Sequence, residues 1–402
     1  MNVNNKILVT GGSGLAGSAI VRALAARGFK NIVATYHTRN PADCFSPGYL
    51  TSENIKFVKI NLVNQEEARL FFHNEKPDYV FIAAAKVGGI MANHNHRAEF
   101  IYDNLQIQNN VIHGSYLNNV KKLIFLGSTC IYPKNAPQPI KEEYLMSDTL
   151  EYLNEPYAVA KIAGIKMCES YNLQYNTNYI AVMPTNLYGP NDNYNLQNSH
   201  FLPAFLRKMH LAQSLKEGDW DTIRDDFNKN PVDNVDGSAS EEEIISILNK
   251  FGGITKNAFG NEVSISLWGT GKPRREILHS DELADACLYI MEHIDFSDLL
   301  QNASGVYSNG MVKNEIRNTQ VNIGLGYDYT LFEIAMKVKE IVGFTGIIEW
   351  NTEMPDGTFQ KLTDTTKLTE SGWKSKISLD EGIKSTYYYY YYKANSYKEA
   401  VL

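Results

Sequence analysis

Apolar segments of strand length alternate with longer amphipathic segments through the first half of the chain. The apolar segments are KILVT (6–10), NIVATY (31–36), 55–62, DYVFIAAA (78–85), KLIFLGS (122–128) and NYIAVMP (178–184). Helical patterning occurs between them, at 18–27, from Gln65, at 98–117 and at 157–175. Alternation at this spacing is typical of βαβ units, so the pattern predicts a parallel sheet with right-handed crossovers.

The pattern changes in the second half of the chain. The stretch NLYGPNDNYNLQNSH (186–200) is rich in Asn, Gly and Tyr and predicts a loop. Polar and acidic residues then dominate 217–243, before the amphipathic segment EEEIISILNKF (241–251), which predicts a helix. We interpret 212–263 as an inserted subdomain or lid.

Composition excludes several classes of protein. With 402 residues, of which 44% are hydrophobic and 21% charged, the chain is neither disordered nor a small disulfide-stabilised domain. Its net charge of −7 argues against nucleic acid or an anionic membrane as the main partner. The four cysteines lie far apart, without a CxxC or a Cys/His cluster, so we expect no metal site and a reducing compartment.

The sequence carries no signal for secretion or membrane insertion that we recognise. The first residues, MNVNNK, lack the apolar stretch of a signal peptide. The longest apolar run, 79–91, is interrupted by Lys86 and is too short to span a bilayer. We therefore expect a soluble, cytoplasmic protein.

A glycine-rich turn links the first predicted strand to the first predicted helix. Gly11, Gly14 and Gly17 form a GxxGxxG pattern there. In a Rossmann-like domain, the first glycine permits a tight turn, the second lets a pyrophosphate approach the backbone, and the third allows close helix–strand packing. The pattern therefore predicts a dinucleotide site formed by Gly11, Gly12, Ser13, Gly14, Leu15, Ala16 and Gly17.

These features predict the fold class and its division into domains. We expect an α/β protein with a Rossmann-like doubly wound parallel sheet and a smaller α+β C-terminal substrate domain. The cofactor domain is predicted over 1–185, with a return to it around 264–300. The substrate domain is predicted over 186–263 and 301–402. The six-tyrosine run at 387–392 is of low complexity, and we expect it to pack at the terminus.

The end of the second predicted strand indicates the cofactor. An Asp or Glu there usually binds the ribose hydroxyls of NAD, yet no acid occurs between Gly17 and Asp43. The strand ends in YHTR (36–39), and Arg39 can pair with a 2′-phosphate. We therefore predict NADPH/NADP+ as the cofactor. The alternative is that Arg39 is a solvated loop charge.

Three residue types that ketone reduction needs occur at one end of the predicted sheet. Ser128 ends a strand at the carboxyl edge, and Tyr157 and Lys161 are four apart on one face of the next helix. Hydride delivery to a ketone leaves an alkoxide, which needs a proton donor. We expect Lys161 to favour the phenolate form of Tyr157 and Ser128 to orient the carbonyl. Tyr389 and Lys393 match the same YxxxK spacing, but there we expect packing or solvent exposure.

Longer motifs carry a family resemblance. They are AAAKVGGI (83–90), FIYDN (100–104), FLGSTCIYPK (125–134), NEPYAVAKIAGIKMCESYN (154–172), MPTNLYGPNDN (183–193), NSHFLPAFLRK (198–208), WGTGKPRREILHSDELADA (268–286) and PDGTFQKLTDTTKL (355–368). These segments closely resemble the GDP-L-fucose synthase family of extended short-chain dehydrogenases/reductases. The resemblance implies conversion of GDP-4-keto-6-deoxy-D-mannose to GDP-L-fucose with NADPH, by epimerisation at C3 and C5 and reduction at C4.

The resemblance also implies roles for individual residues. Ser128, Tyr157 and Lys161 would form the reductase triad, and Cys130 and His200 the base and acid of epimerisation. We expect local positive charge to lower the pKa of the Cys130 thiol. Further cofactor contacts are implied for Leu126, Gly127, Lys161, Pro184, Thr185, Asn186, Leu187 and His200. Contacts to the GDP-sugar are implied for Lys208, Trp268, Arg275 and Asp356. A homodimer is implied as well.

Departures from the family pattern leave alternatives open. Ser13 stands where the family commonly has Arg, Asn61 stands where an Asp is usual, and the insert after Ala212 is absent from shorter members. One alternative is a C4 reductase of a related GDP-4-keto-6-deoxy sugar, hexose or heptose, without epimerisation. Another is a nucleotide-sugar dehydratase or epimerase that retains NAD, and a third is a non-catalytic NADPH-binding protein.

Overall fold

The computed structural model describes residues 1–257, 262–300, 316–354 and 356–392. The strands are Ile7–Thr10 (β1), Ile32–Tyr36 (β2), Ile55–Lys59 (β3), Tyr79–Ile82 (β4), Lys122–Leu126 (β5), Tyr179–Pro184 (β6), Asn186–Tyr188 (β7), Ile254–Lys256 (β8), Val263–Trp268 (β9), Arg274–Arg275 (β10), Ile277–His279 (β11), Val321–Ile323 (β12), Tyr329–Thr330 (β13), Ile347–Asn351 (β14) and Gln360–Lys361 (β15). The helices are Leu15–Ala26 (α1), Pro47–Leu50 (α2), Gln65–Glu75 (α3), Ile90–Asn95 (α4), Arg97–Leu117 (α5), Glu155–Tyr175 (α6), Phe201–Glu217 (α7), Trp220–Lys229 (α8), Glu241–Ile247 (α9), Ser280–His293 (α10), Phe296–Leu300 (α11), Leu331–Val342 (α12), Thr366–Glu370 (α13) and Leu379–Tyr392 (α14).

A seven-stranded parallel sheet, in the order β12-β6-β5-β4-β1-β2-β3, organises the molecule. Its order and direction confirm the predicted doubly wound α/β fold. Successive side chains of a strand point to opposite faces. Ile7 and Val9 therefore pack into a core with α1 and α10, whereas Leu8 packs into a core with α3, α5 and α6. Because both faces are covered, the inner strands β1, β4 and β6 are mainly apolar, whereas the edge strand β3 carries the exposed Lys56 and Lys59.

The predicted elements differ from the observed ones mainly at their ends. Helix α1 begins at Leu15 rather than at 18, because the glycine turn leads directly into the helix at Gly14. Helix α6 begins at Glu155 rather than at 157, since Pro156 fits the first turn of a helix, where its missing N–H is not needed.

A second hydrophobic core surrounds the three-stranded sheet β14-β9-β8. Helices α7, α8, α9, α12 and α14 contribute buried residues to this core. Helix α8 lies in the polar stretch 217–243, yet Ile223 and Phe227, four residues apart on one helical face, are fully buried. The segment interpreted as an insert or lid therefore supplies part of this core.

The segment 264–300 contributes both to the second hydrophobic core and to the core beside the main sheet. Residues up to Trp268 belong to β9, whereas α10 packs against α1 beside the main sheet. Strand β12, from the segment that follows, joins the main sheet at β6. The boundaries of the domains stay a prediction. Lys393 and residues 301–315 lie outside the described residues.

Within the described ranges the chain has neither a membrane-spanning helix nor a cluster of metal ligands. None of the helices there is long and apolar enough to cross a membrane. No group of three or more His, Cys, Asp or Glu side chains in those ranges is arranged to hold a metal ion. All four cysteines are buried.

Candidate active site

The glycine turn places backbone N–H groups at the carboxyl end of β1. Gly11 has a φ of +68°, and a Cβ on it would lie 2.8 Å from the backbone of Ala84. A Cβ on Gly17 would lie 2.1 Å from the carbonyl oxygen of Gly11, so a side chain there would push the helix off the turn. Helix α1 has no side-chain cap and no acid in its first turn. Its first N–H groups are therefore open to a pyrophosphate.

Arg39 lies just beyond β2, where a ribose 2′ substituent reaches in this type of fold. The half-buried guanidinium donates a hydrogen bond from Nη1 to the carbonyl oxygen of Asn191 at 2.6 Å. The glycine turn is linked to the same region, because the Cys44 thiol donates a hydrogen bond to the carbonyl oxygen of Ser13 at 3.2 Å. The turn exposes Gly14, half-buries Gly11, Leu15 and Ala16, and buries Gly12, Ser13 and Gly17. An open helix terminus and a cation fit a phosphorylated dinucleotide.

The three predicted reductase residues meet where β5 ends. The Lys161 ammonium donates a hydrogen bond to the carbonyl oxygen of Leu126, the last residue of β5, at 2.8 Å. The same ammonium lies 5.6 Å from the ring centroid of Tyr157, one turn earlier on α6. The Ser128 hydroxyl accepts a hydrogen bond from the N–H of Cys130 at 3.4 Å. Within the described ranges no hydrogen bond occupies the Tyr157 hydroxyl, so it is available to a ligand.

Burial determines the protonation of Tyr157 and Lys161. It raises the pKa of the Tyr157 phenol well above its ordinary value and lowers the pKa of Lys161 to about 8. The expectation of a Tyr157 phenolate in the resting site is therefore wrong, because burial, and after it the charge of Cys130, raises the pKa of the phenol. A neutral phenol is nevertheless the form that can donate a proton to a carbonyl oxygen.

We expect activity to fall as the pH rises through about 8, the pKa of Lys161. Below that pH the ammonium is charged and stabilises negative charge that develops beside it; above that pH the amine is neutral and this stabilisation is lost. The measurement is the pH profile of kcat/KM for ketone reduction. Arginine stays charged throughout this range, so Lys161→Arg should move the alkaline limb upward, at a lower overall rate. An unchanged limb in that variant would assign the titration to another group.

Cys130 is a buried thiol close to two cations. Burial raises its pKa, whereas the Ser128 hydrogen bond and then the charges of Lys361 and Lys161 act in the opposite direction. The predicted lowering of this pKa is therefore wrong, since the hydrogen bond and the two positive charges reduce the effect of burial without reversing it. The thiol is protonated at neutral pH, and any base chemistry on the sulfur depends on the nearby cations.

Lys361 is a site residue that sequence reasoning missed. It pairs with Arg275 across strands β15 and β10; its charge acts on Cys130, and the charge of Arg275 acts on it. Burial lowers the pKa of its ammonium. Lys361 ends the segment PDGTFQK (355–361), and a cation within that motif is the signal that points to it. It connects the sulfur of Cys130 to the residues predicted to bind GDP.

Arg275 and Asp356, both predicted to contact GDP, lie close to each other. The Asp356 carboxylate accepts hydrogen bonds from the N–H and hydroxyl of Thr270, at 2.8 and 2.7 Å, and the Thr270 hydroxyl most strongly lowers its pKa. Burial lowers the pKa of Arg275, and the charge of Asp356 opposes that effect. Trp268, at the end of β9, is 63% exposed in the loop that Asp356 holds. An exposed indole offers a face on which a nucleotide base can stack.

His200 and Lys208 belong to the N-terminal half of α7. His200 flanks the first residue of the helix and is exposed, whereas Lys208 is half-buried. The surrounding protein desolvates both groups and lowers their pKa values, that of Lys208 to about 8. In the part of the chain that the structure describes, neither side chain makes a hydrogen bond or ion pair. Both are available to a ligand, and the described contacts do not join His200 to Cys130.

The other residues predicted to contact the cofactor belong to two strand ends. They are Leu126 and Gly127 at the end of β5, and Pro184, Thr185, Asn186 and Leu187 from β6 into β7. The Thr185 hydroxyl and the Asn186 amide both donate to the carbonyl oxygen of Glu276, at 3.2 and 3.0 Å. These two hydrogen bonds therefore hold the backbone of Glu276, the residue that follows Arg275.

Comparisons with known proteins identify the family. Residues 7–226 and 246–301 match the NAD dependent epimerase/dehydratase family. GDP-L-fucose synthase 1 of Arabidopsis thaliana is 43% identical over 382 residues, which cover 95% of this chain and 92% of that protein. The crystal structure of a GDP-6-OMe-4-keto-L-xylo-heptose reductase from Campylobacter jejuni is 44% identical, with a TM-score of 0.80, over 97% of this chain and 98% of that chain. A GDP-D-glycero-L-gluco-heptose synthase from Campylobacter jejuni, crystallised in the presence of NADPH, is 43% identical, with a TM-score of 0.81, over 97% and 99%.

These findings confirm the resemblance to GDP-L-fucose synthase that the motifs carry. The family match omits 227–245, which lies inside the segment 212–263 interpreted as an insert. The match covers more than half of the chain, and the similarity to full-length relatives extends over nearly all of it. The chain therefore belongs to the NAD dependent epimerase/dehydratase family and is an enzyme of the kind that includes GDP-L-fucose synthases and GDP-sugar reductases.

Proposed function

We propose that this enzyme converts GDP-4-keto-6-deoxy-D-mannose to GDP-L-fucose with NADPH, by epimerising C3 and C5 and then reducing the C4 ketone. The observation that carries the proposal is the meeting of Ser128, Tyr157 and Lys161 at the end of β5. Cys130 lies within electrostatic reach of Tyr157 and Lys161, so the proposed base of epimerisation is a neighbour of the reductase residues. The identity to an Arabidopsis GDP-L-fucose synthase supports the choice of substrate.

NADPH fits the residues that face its predicted position. The glycine turn leaves the first N–H groups of α1 open, and Arg39 lies beyond β2 without an intervening carboxylate. A relative that is 43% identical was crystallised in the presence of NADPH. When bound, NADPH supplies the hydride that reduces the ketone.

In the reduction, the chain supplies a proton and stabilises negative charge. The neutral Tyr157 phenol donates its proton to the C4 oxygen, and the Ser128 hydroxyl donates a hydrogen bond to the same oxygen. The Lys161 ammonium, 5.6 Å from the phenol ring, stabilises the phenolate that remains. Solvent then returns a proton to Tyr157.

In the epimerisation, Cys130 and His200 act on the carbons next to the ketone. The Cys130 thiolate removes a proton, and the resulting enolate oxygen is held by the Tyr157 and Ser128 hydroxyls. His200 in its protonated form, a minor species at neutral pH because burial lowers its pKa, donates a proton to the opposite face of the same carbon. Solvent restores both groups before the second carbon reacts. Lys361 favours the thiolate that this sequence requires.

The GDP portion meets residues on the side of the C-terminal strands. Lys208 and Arg275 supply two cations for the diphosphate. Trp268 offers an exposed aromatic face on which a base can stack. Asp356 fixes the Trp268 loop through its two hydrogen bonds to Thr270.

A specific observation favours a second candidate function, C4 reduction of a related GDP-4-keto sugar without epimerisation. Two Campylobacter jejuni structures that are 43% and 44% identical carry the names of a GDP-heptose synthase and a GDP-keto-heptose reductase. The raised pKa of Cys130 points the same way, because a protonated thiol is no base.

One experiment separates the two functions. The enzyme is incubated in D2O with NADPH and GDP-4-keto-6-deoxy-D-mannose, and the product is analysed by NMR. We expect GDP-L-fucose with solvent deuterium at C3 and C5. A C4-reduced product without deuterium at either carbon would favour the second function. Protein that carries tightly bound NAD and consumes no NADPH would contradict both functions.

A homodimer and a cytoplasmic location remain proposals. Helices α5 and α6 pack against each other, and Tyr102 and Val159 on these helices are 58% and 41% exposed. A second copy of the chain can cover exposed apolar side chains of this kind. Light scattering distinguishes a dimer from a monomer of 45.3 kDa.

A further inference from the structure

The six-tyrosine run forms the last turns of α14, and its side chains have different environments. Tyr389 and Tyr390 are each 6% exposed, whereas Tyr388, Tyr391 and Tyr392 are exposed. The buried pair continues the helical face that also buries Ile383 and Thr386. The run is therefore an amphipathic helix end, and its two buried phenols require hydrogen-bond partners.

Tyr390 connects α14 to the second core. Its hydroxyl donates a hydrogen bond to Oδ1 of Asp226 on α8. The other carboxylate oxygen of Asp226 pairs with the fully buried guanidinium of Arg207 on α7, at 2.7 Å. The Tyr390 contact thus stabilises the packing of three helices within one part of the molecule.

Tyr389, the next residue, connects α14 to the opposite side, where the cofactor turn lies. Its hydroxyl donates a hydrogen bond to Oδ1 of Asn191 and lies 3.4 Å from the carbonyl oxygen of Cys44. The Asn191 amide nitrogen donates to Ser18 Oγ on α1 and to the same Cys44 carbonyl, at 3.0 and 3.1 Å. Asn191 is thereby held between α14, the first cofactor helix and the loop after β2.

The backbone of Asn191 links these hydrogen bonds to Arg39. Asn191 has a φ of +71°, a left-handed conformation that asparagine tolerates better than most residues, and it is 2% exposed. Its carbonyl oxygen, set by that conformation, accepts the 2.6 Å hydrogen bond from Arg39 Nη1. A guanidinium has five N–H donors, so the others can still bind a phosphate. The Asn191 side chain takes part in three hydrogen bonds, which hold the residue in one position. Its backbone carbonyl oxygen therefore holds the Arg39 guanidinium in one direction.

We propose that Tyr389 is a positioning residue that aims Arg39, through Asn191, at the 2′-phosphate of NADP(H). The inference rests on the proposed use of NADPH and deepens it, because it names what fixes the residue that selects the phosphorylated cofactor. A cation held in place before binding loses less conformational freedom when the phosphate arrives. Removing the Tyr389 hydroxyl leaves the charge of Arg39 intact but allows its guanidinium to take up other positions.

The test compares Tyr389→Phe with two further variants. Affinities for NADPH and NADH are measured by nicotinamide fluorescence, without substrate. We expect Tyr389→Phe to weaken NADPH binding by about 5- to 10-fold, the size of one well-placed hydrogen bond, and to leave NADH binding unchanged. Asn191→Gly keeps the left-handed backbone accessible but removes the amide, and should produce the same selective loss. In turnover, the KM for NADPH should rise in both variants while kcat at saturation is kept.

Tyr390→Phe is the matched control, because it removes an equally buried hydroxyl from the neighbouring position of the same helix. We expect it to lower the melting temperature without changing the ratio of NADPH to NADH affinity. If Tyr389→Phe weakened NADPH and NADH binding equally, or changed neither, the ratio of the two affinities would stay as in the wild type. That result would overturn the inference while leaving the proposed function intact. A wild-type protein that does not prefer NADPH would overturn the cofactor assignment and this inference together.

Discussion

Replacing Tyr157 with phenylalanine is expected to lower kcat for ketone reduction by about 10³-fold, within the range that a general acid contributes. The hydroxyl is the group that donates a proton to the C4 oxygen, and burial keeps that proton on the phenol at neutral pH. Phenylalanine preserves the ring, which packs edge-on against Phe100 with centroids 6.4 Å apart. The loss should therefore reflect chemistry rather than packing.

The measurement is steady-state oxidation of NADPH with saturating GDP-4-keto sugar. NADPH affinity, followed by fluorescence, should stay within about 2-fold of the wild-type value, a difference too small to indicate a lost hydrogen bond. Tyr175→Phe provides a control on the same helix, because Tyr175 is exposed and lies about five helical turns from Tyr157. A near-wild-type kcat in Tyr157→Phe, or equal losses in the two variants, would remove Tyr157 from the role of proton donor.

The main sheet and the cofactor turn could be predicted because their signals are local. Strands β1 to β6 are short and largely apolar, and helical patterns separate all but β2 and β3. The close contacts of Gly14 and Gly17 are with Gly11 in the same turn. Strand β12 was harder to foresee, since its three residues follow a polar stretch and gain a partner only when β6 is in place.

The protonation states could not be predicted because they depend on burial by the whole fold. Four-residue spacing on a helix brings Lys161 near Tyr157, and the sequence shows that much. How strongly burial shifts the two pKa values depends on neighbours distant in sequence, such as Phe125 of β5 beside Lys161 and Phe100 of α5 against Tyr157. The same reason applies to Cys130, whose cationic neighbour Lys361 is far away in the sequence.

The contact between Tyr389 and Asn191 could not be predicted from the sequence for a different reason. The two residues are 198 positions apart, and nothing in either motif indicates that they meet. Helical periodicity shows that one face of a tyrosine run can be buried, but which face is decided by how α14 docks. The low-complexity appearance of the run therefore concealed two side chains with separate, specific partners.

Replacing Cys130 with serine should separate epimerisation from reduction. Serine keeps the size of the side chain, but its hydroxyl is a far weaker acid than a thiol, so the anion that removes the carbon-bound proton is no longer accessible. We expect incorporation of solvent deuterium at C3 and C5 to fall by about 10²- to 10⁴-fold. The measurement is NMR of the GDP-sugar after incubation in D2O, sampled before and after NADPH is added.

Reduction gives the internal comparison in that experiment. Ser128, Tyr157 and Lys161 remain in the Cys130→Ser variant, so NADPH should still be oxidised and the product should keep the configuration of the substrate at C3 and C5. Cys168→Ser controls for placing a hydroxyl at another buried cysteine, because Cys168 lies on α6 and is 1% exposed. It should lower stability without affecting deuterium exchange. If exchange persisted in Cys130→Ser, the base would be another group. If hydride transfer and deuterium exchange fell together, Cys130 would be needed for the structure of the site rather than for a separate proton transfer.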